Sequence, residues 1–363
     1  MTSDIDIHHM RSAIALARRG VGRTAPNPSV GCVVVRDDVV ISRARTNDLG
    51  RPHAEFLALE ALENNAEGAT LYVTLEPCTH HGATPPCVDA IIKAKVSRVV
   101  IGALDLNPQV AGKSTAILQE AGIEVTSGVL SEECTAINEG FFSTIEKGRP
   151  FVTLKTACSL DGKIALKNGE SQWITGDLAR RHAHFLRSKH DAVMVGVGTV
   201  LKDNPMLTTR LDGVDHNPVR VVLDSKLKTP PDSILVKSAY AIRLFIFHAE
   251  QSDNEPLLIA GGAHLHQCNP HDLAEVLGLL AKQGITRILV EGGAQVHASF
   301  LSAGLCDELV VYRAPTILGD DSKGAIPDLN IERLSDRYDF ECIERRALGD
   351  DMLERYRPKS EVQ

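Results

Sequence analysis

The stretch that decides the fold runs from His53-Ala54-Glu55 through Ala69-Thr70-Leu71-Tyr72-Val73-Thr74-Leu75 to Glu76-Pro77-Cys78. After eight further residues (Thr-His-His-Gly-Ala-Thr-Pro-Pro) it reaches Cys87. One imidazole and two thiolates fill three of the four positions of a tetrahedral zinc ion. The fourth is left for water, the arrangement of a catalytic rather than a structural site. Glu55, two residues past the imidazole, is placed to handle protons at that water. The alternative is a closed site with His80 or His81 as fourth ligand, under which Glu55 has no task. The eight-residue spacing requires the loop to bulge and return Cys87 at a helix start, where the backbone dipole favours a thiolate.

Working outward, Met10, Ile14 and Ala17 predict a helix over 7–19. Residues 31–35 and 39–42 read as a hairpin turning at Asp37-Asp38. A helix is expected from Pro52-His53 to about 64, a strand over 69–75 and, opened by Pro85-Pro86, a helix over 87–95. Strand 99–103, helix 113–121, strand 123–126 and helix 131–146 follow. This alternation predicts an α/β layered domain. Lys147-Gly148-Arg149-Pro150 is a polar break, so we place one domain at 1–147 and a second at 150–359. In the second we expect strand 151–157, helix 177–189, strands 191–199, 219–224 and 242–248, helix 271–283, strand 286–290, helix 294–303 and strand 307–313. Two antiparallel strands should flank Gly349-Asp350.

Composition narrows the function classes. A chain of 363 residues with 43% hydrophobic content is long enough for two cores. The net charge is −8, and residues 1–147 hold 13 basic against 18 acidic side chains. That opposes nucleic-acid binding, which needs a basic footprint. No run of 18 apolar residues predicts a membrane span. The start, Met1-Thr2-Ser3-Asp4, lacks the basic-then-apolar pattern of a signal peptide. Beyond Cys78 and Cys87, six cysteines (Cys32, Cys134, Cys158, Cys268, Cys306 and Cys342) read as reduced thiols, and the expected location is cytoplasmic.

The second half has no Gly-x-Gly-x-x-Gly; Gly196-Val197-Gly198 lacks the third glycine. The better diphosphate site is Glu291-Gly292-Gly293, between a strand and a helix beginning near Ala294. A plain strand-to-helix turn is the alternative. Arg187 and Arg210 can clamp a sugar phosphate two-pronged, or be solvated surface residues. Trp173, the single Trp, follows a polar Gly-Glu-Ser-Gln turn, which suits a site edge better than a core. Asp203, before Asn204-Pro205, belongs either to a site or to a turn cap.

The His-x-Glu and Pro-Cys…Cys set is the pattern of zinc nucleobase deaminases. With it stand Pro26-Asn27-Pro28-Ser29-Val30-Gly31-Cys32, Asp105-Leu106-Asn107-Pro108-Gln109-Val110-Ala111-Gly112, Ser159-Leu160-Asp161-Gly162-Lys163, Gly169-Glu170-Ser171-Gln172-Trp173-Ile174-Thr175, Asp203-Asn204-Pro205, Leu207-Thr208-Thr209-Arg210 and Val290-Glu291-Gly292-Gly293. Over nearly its whole length the chain resembles the bifunctional deaminase/reductase family of riboflavin biosynthesis. The resemblance implies a cytidine-deaminase-like three-layer domain followed by a dihydrofolate-reductase-like domain. It implies zinc-dependent hydrolytic deamination of 2,5-diamino-6-(5-phosphoribosylamino)pyrimidin-4-one, then NADPH reduction of the ribosyl group to ribityl. By resemblance, His53, Cys78 and Cys87 hold zinc and Glu55 shuttles protons. Asn27, Asp105 and Asn107 touch the first substrate. Lys155, Ser171, Arg187, Leu207, Arg210 and Glu291 touch the second. Ala157, Trp173, Thr199, Asp203, Ser225, Gly292 and Gly293 meet NADPH. Pairing of two copies through the reductase domain is also implied. The chain departs from the family pattern at Thr46 (often His), Ser42 and Ala44 (Gly), Ala83 (basic), Leu106 (Pro), Ser114 (Gly) and Asn204 (Asp). Thr46 and Ala83 motivate a rival, a reductase with a weakened deaminase domain. A nucleic-acid-editing deaminase is a second rival, opposed by the acidic balance.

Overall fold

The computed structural model describes residues 3–80, 85–106 and 112–359. The chain separates into two compact units, Met1–Gly148 and Arg149–Gln363.

The first unit runs α1 (Asp4–Gly20), β1 (Gly31–Arg36), β2 (Val39–Arg45), α2 (Ala54–Glu60), β3 (Thr70–Leu75), α3 (Cys87–Lys93), β4 (Arg98–Ala103), α4 (Lys113–Glu120), β5 (Glu124–Ser127), α5 (Ser131–Ile137) and α6 (Glu139–Glu146). Ser3 and Asp6 close a reciprocal capping box on α1. Asp37 and Asp38 both take left-handed backbone angles, as a two-residue hairpin turn requires. Among the described residues the sheet order is β2-β1-β3-β4-β5. β1 is antiparallel to both neighbours, and β3, β4 and β5 are parallel, joined by crossover helices. Successive residues of β1 show the layering. Gly31 faces α1 so closely that a Cβ there would stand 1.9 Å from the carbonyl oxygen of Ala13. Cys32 points the other way, toward α2; burial, reinforced by the charge of Glu55, pushes its thiol well above its ordinary value. The expected single helix over 131–146 is broken at Asn138. Its side chain accepts from the Ser29 N–H (2.8 Å) and donates to the Ser29 carbonyl (3.2 Å), a clamp across the unit that a continuous helix would not permit. The helix expected to reach 64 stops at Glu60, and Glu63 and Asn64 turn back with positive φ.

The second unit contains β6 (Phe151–Cys158), β7 (Lys163–Ala165), α7 (Asp177–Arg187), β8 (Ala192–Gly196), α8 (Val197–Asp203), β9 (Val219–Leu223), α9 (Ile234–Lys237), β10 (Leu244–His248), α10 (Glu255–Ala260), β11 (His264–Gln267), α11 (Leu273–Lys282), β12 (Arg287–Val290), α12 (Ala294–Ser302), β13 (Glu308–Arg313), β14 (Lys323–Gly324), β15 (Phe340–Leu348) and β16 (Asp351–Pro358). The main sheet has the order β11-β10-β9-β8-β12-β6-β13-β16-β15. It is parallel up to β13, and β15 and β16 form the antiparallel hairpin at its edge. The strand expected over 191–199 ends at Gly196, which caps α8. The valine-rich run continues as a helix and buries Val200 in the core. In the order β9-β8-β12-β6 the carboxyl ends of four parallel strands lie side by side, where open α/β sheets bind ligands.

The close α1–β1 approach leads us to expect that Gly31→Ala lowers the stability of the first unit by about 1–3 kcal/mol, the usual range for overpacking. A urea titration followed by far-ultraviolet circular dichroism checks this. An unchanged midpoint would contradict the packing.

Candidate metal centre and candidate dinucleotide cavity

Three element ends bring the chemistry of the first unit together. His53 is the N-cap of α2, Cys78 follows the exit of β3, and Cys87 is the first residue of α3 behind Pro86. His53 Nδ1 lies 3.4 Å from Cys87 Sγ and 3.6 Å from Cys78 Sγ. The ligand atoms of all three lie within 4.8 Å of one another. A tetrahedral zinc with ordinary bond lengths separates nitrogen from sulfur by about 3.6 Å, so the donor atoms already stand at the edges of such a polyhedron. The Cys87 thiol and backbone N–H both serve Cys78, the N–H at 3.3 Å, and hold the Cys78 thiol at about 4, a thiolate at neutral pH. Its donation to Cys78, together with burial, pushes the Cys87 thiol up. The hydrogen bond to Cys78 raises His53. Three groups thus share protons that a divalent cation would replace. Among the described residues no further His, Cys, Asp or Glu joins the group. His80 is exposed, and His81 lies outside the described residues.

Glu55 sits in the first turn of α2 and is 3% exposed. Burial raises its carboxyl above the ordinary value, with His53 opposing and the Cys78 charge adding. Its Oε2 has no hydrogen-bond partner among the described residues. A buried carboxylate oxygen without a donor is costly, and a solvent molecule held beside the three ligands would satisfy it. The donor set and this orphaned oxygen therefore fit a zinc ion with one open position.

Of the other residues expected here, Asn27 donates to the Gly50 carbonyl at 3.0 Å and so holds the turn before Pro52-His53. Asp105 is buried just beyond β4. Asn107 and Ala83 lie outside the described residues. Thr46 is buried, and its hydroxyl bonds the backbone of Val30. One residue in the quoted motif had no role assigned to it: Glu76. Its buried carboxylate accepts from the backbone N–H groups of Asp105 (3.3 Å), Gly112 (3.0 Å) and Ser114 (3.2 Å) and from the Ser114 hydroxyl (2.7 Å). It ties the strand exit that carries Cys78 to the segment that begins at Asp105. A carboxylate at the end of a buried strand must find donors, and that was the available signal.

In the second unit a cavity of about 1440 Å³ opens at the strand ends, above the roughly 300–1,000 Å³ of common ligand pockets. Lys155, Ala157, Ser171, Trp173, Arg187, Thr199, Asp203, Leu207, Arg210, Ser225, Glu291, Gly292 and Gly293 all line it. Trp173 is 67% exposed, with the Arg180 guanidinium 4.6 Å from its ring centre. Gly292 packs where a Cβ would strike Val296 at 2.6 Å, and Gly293 caps α12 with open space beside it. That is a backbone cradle at a helix start, suited to a diphosphate. The turn after Asp203 is held by Asn204, whose side chain accepts from the Ile234 N–H. The clamp expected of Arg187 is engaged elsewhere: its fork holds Glu291, Nε to Oε1 at 2.5 Å and Nη2 to Oε2 at 3.0 Å, and Nη1 donates to the Thr208 carbonyl at 2.9 Å. A largely desolvated carboxylate in the cavity wall demands a partner more strongly than solvent-facing space does. Arg210 stays exposed at the rim. Burial alone would raise Glu291, but Arg187 and Lys155 outweigh it and hold the carboxyl at about 2. Lys155 Nζ lies 3.9 Å from Glu291 Oε2 and 5.6 Å from the Tyr312 ring centre. Burial lowers its ammonium below the ordinary value against the pull of Glu291.

Fold and sites define a two-domain enzyme, a zinc-dependent deaminase joined to a nucleotide-dependent reductase. Residues 3–103 match the cytidine and deoxycytidylate deaminase zinc-binding region, and residues 150–353 match the RibD C-terminal domain. The chain is 41% identical over 353 residues to riboflavin biosynthesis protein RibD of Aquifex aeolicus, spanning 97% of this chain and 98% of that one. It is 40% identical over 359 residues to RibD of Escherichia coli, spanning 96% and 98%. Acinetobacter baumannii RibD superposes with a TM-score of 0.90 at 38% identity, covering 98% of this chain and 99% of that one. The chain belongs to the RibD family, and its domains are cytidine-deaminase-like and dihydrofolate-reductase-like. The cofactors of the two activities are zinc and NADPH.

We expect Glu76→Gln to lower deaminase kcat at least about tenfold, because an amide cannot accept the four bonds without turning a donor toward donors. Bound zinc and reductase turnover should not change. Ammonia release, metal analysis and NADPH oxidation measured on one preparation check this. Unaltered ammonia release would contradict it.

Proposed function

We propose that this riboflavin-pathway enzyme carries out two successive steps, one in each unit. The unit Met1–Gly148 hydrolyses the ring amino group of a phosphoribosylated diaminopyrimidine. The unit Arg149–Gln363 reduces the sugar of the product to an open ribityl chain. The Thermotoga maritima relative, 38% identical over 98% of this chain, is described as a diaminohydroxyphosphoribosylaminopyrimidine deaminase and 5-amino-6-(5-phosphoribosylamino)uracil reductase, which supports this substrate order.

In the first unit His53, Cys78 and Cys87 would hold zinc. When bound, zinc lowers the pKa of water toward neutrality and so makes a nucleophile available. Glu55 takes the proton from that water and returns it to the leaving amine, a role for which a buried carboxylate of raised basicity is suited. Asn27, Asp105 and Asn107 would bind the pyrimidine and its sugar phosphate. The departure at Thr46 is absorbed in backbone packing around Val30 and leaves the metal set intact, which favours a working deaminase over a weakened one.

In the second unit the Gly292-Gly293 cradle, Ala157, Trp173, Thr199, Asp203 and Ser225 would hold the dinucleotide. NADPH supplies the hydride. Lys155 provides the balancing proton at the opening sugar: burial makes its ammonium a better donor, and Glu291 keeps it charged and aimed. Arg187 positions Glu291, while Arg210, Ser171 and Leu207 frame the substrate.

The small-molecule substrate, cytoplasmic operation and pairing of reductase units belong to the same reading. Family membership supports them, and for pairing so does the nine-residue edge strand β15. No helix among the described residues is long and apolar enough to cross a membrane.

The observation that carries the reading is the orphaned Glu55 oxygen beside His53, Cys78 and Cys87. Glu55→Gln should keep one zinc per chain and full reduction of pre-deaminated substrate while losing roughly 100-fold or more in ammonia release. Ammonia release equal to that of the unaltered chain would overturn it.

A further inference from the structure

In the second unit a smaller cavity, of about 440 Å³, adjoins the large one and shares Lys155, Trp173, Arg187 and Glu291 with it. Its volume suits a small ligand. Tyr312 lines only the smaller cavity, and its hydroxyl has no task in the reading above. The strand places it there. Glu308, Val310 and Tyr312 alternate inward along β13, and Tyr312 packs with Ala179, Val310 and Leu353. It is 1% exposed. A phenol so buried needs a polar partner. It finds one in His182 of α7, whose Nδ1 lies 2.8 Å from the Tyr312 oxygen. Nε2 of the same ring lies 2.8 Å from Nη2 of Arg346 on β15.

These two bonds decide where each hydrogen goes. A guanidinium only donates, so Nε2 of His182 accepts. Burial, with the charge of Arg346, holds this imidazole below its ordinary value. The ring is therefore neutral at neutral pH, and its one hydrogen sits on Nδ1. Nδ1–H donates, and the Tyr312 oxygen accepts. The phenolic hydrogen is left over, and among the described residues it has no acceptor. Burial and the charge of Glu291 push the phenol above its ordinary value, so that hydrogen stays in place. The cavity wall thus carries a buried O–H donor without an acceptor. It belongs to the ring whose centre lies 5.6 Å from Lys155 Nζ.

A buried donor left unpaired by the protein calls for an acceptor from a ligand. A phosphate is best met by charged forks, whereas a neutral phenol suits an uncharged oxygen. We propose that Tyr312 donates its hydroxyl hydrogen to an oxygen of the sugar that the second unit reduces, and that His182 and Arg346 are positioning residues that keep this hydrogen turned toward the cavity. The proposal rests on the reading of the second unit as the reductase, and it adds a neutral donor beside Lys155.

The test is NADPH oxidation by the full chain on pre-deaminated substrate. Tyr312→Phe keeps the ring and loses only the hydroxyl. It should lower kcat/KM for the sugar substrate roughly tenfold. NADPH affinity, read from the fluorescence of the single Trp, Trp173, should stay unchanged. His182→Ala removes the imidazole but leaves the donor in place, and should lose less than about threefold. Arg346→Met alters an exposed side chain and lets Nδ1 take the phenolic hydrogen instead. It should cost about threefold, and nothing further when combined with His182→Ala. If the hydroxyl serves only to hold His182, then His182→Ala loses at least as much as Tyr312→Phe, and the proposal is overturned. Weaker inhibition of Tyr312→Phe by inorganic phosphate would move the contact to the phosphate and overturn it too. An unaltered chain that oxidises no NADPH on this substrate would overturn the reductase reading together with the contact built on it.

Discussion

The first unit depends on the convergence of one imidazole and two sulfurs from three element ends. The three side chains stand within hydrogen-bond range and partly removed from water, where Cys87 and His53 push the Cys78 thiol down and Cys78 pushes His53 up. The chain reaches this arrangement because α2 and α3 start, and β3 ends, on the same side of the sheet. The sheet in turn needs α1 seated against Gly31 with no side chain between them. Glu76 extends the same strand exit to Asp105, Gly112 and Ser114, so the metal ligand and those residues share one anchor.

The second unit depends on a different constraint, a largely desolvated carboxylate. Glu291 follows β12 and lines the cavity, where its charge would be costly alone. Arg187 from α7 and Lys155 from β6 neutralise it, and that pairing draws three elements together at the cavity. The left-handed turn at Leu207 presents the Thr208 carbonyl to Arg187 and completes the restraint. Arg187 thereby holds the acid while still lining the cavity.

Much of this was legible in the chain. The alternation of apolar strands with amphipathic helices gave the layered class, and the antiparallel hairpin around Gly349-Asp350 followed from two runs separated by a turn. His53, Glu55, Cys78 and Cys87 could be singled out because few other tasks need those groups at those spacings. Less was legible where an apolar run satisfies two periods at once: residues 191–199 read as one strand, yet the run turns into a helix after Gly196. Short elements such as β7, α9 and β11 carry too few residues for any period to appear. The partner of Arg187 was also hidden, since Glu291 lies 104 residues away and only folding brings them together. Asn138 was hidden for the same reason: its partner Ser29 is distant, and the helix break that serves it has no local cause.

The most direct test of the central claim is zinc X-ray absorption on the metal-loaded chain. The account predicts two sulfur scatterers near roughly 2.3 Å, one imidazole nitrogen near roughly 2.0 Å and one light atom that the protein does not supply. A second imidazole, or a third sulfur, would mean a closed structural site and would contradict the proposed hydrolytic role of the first unit.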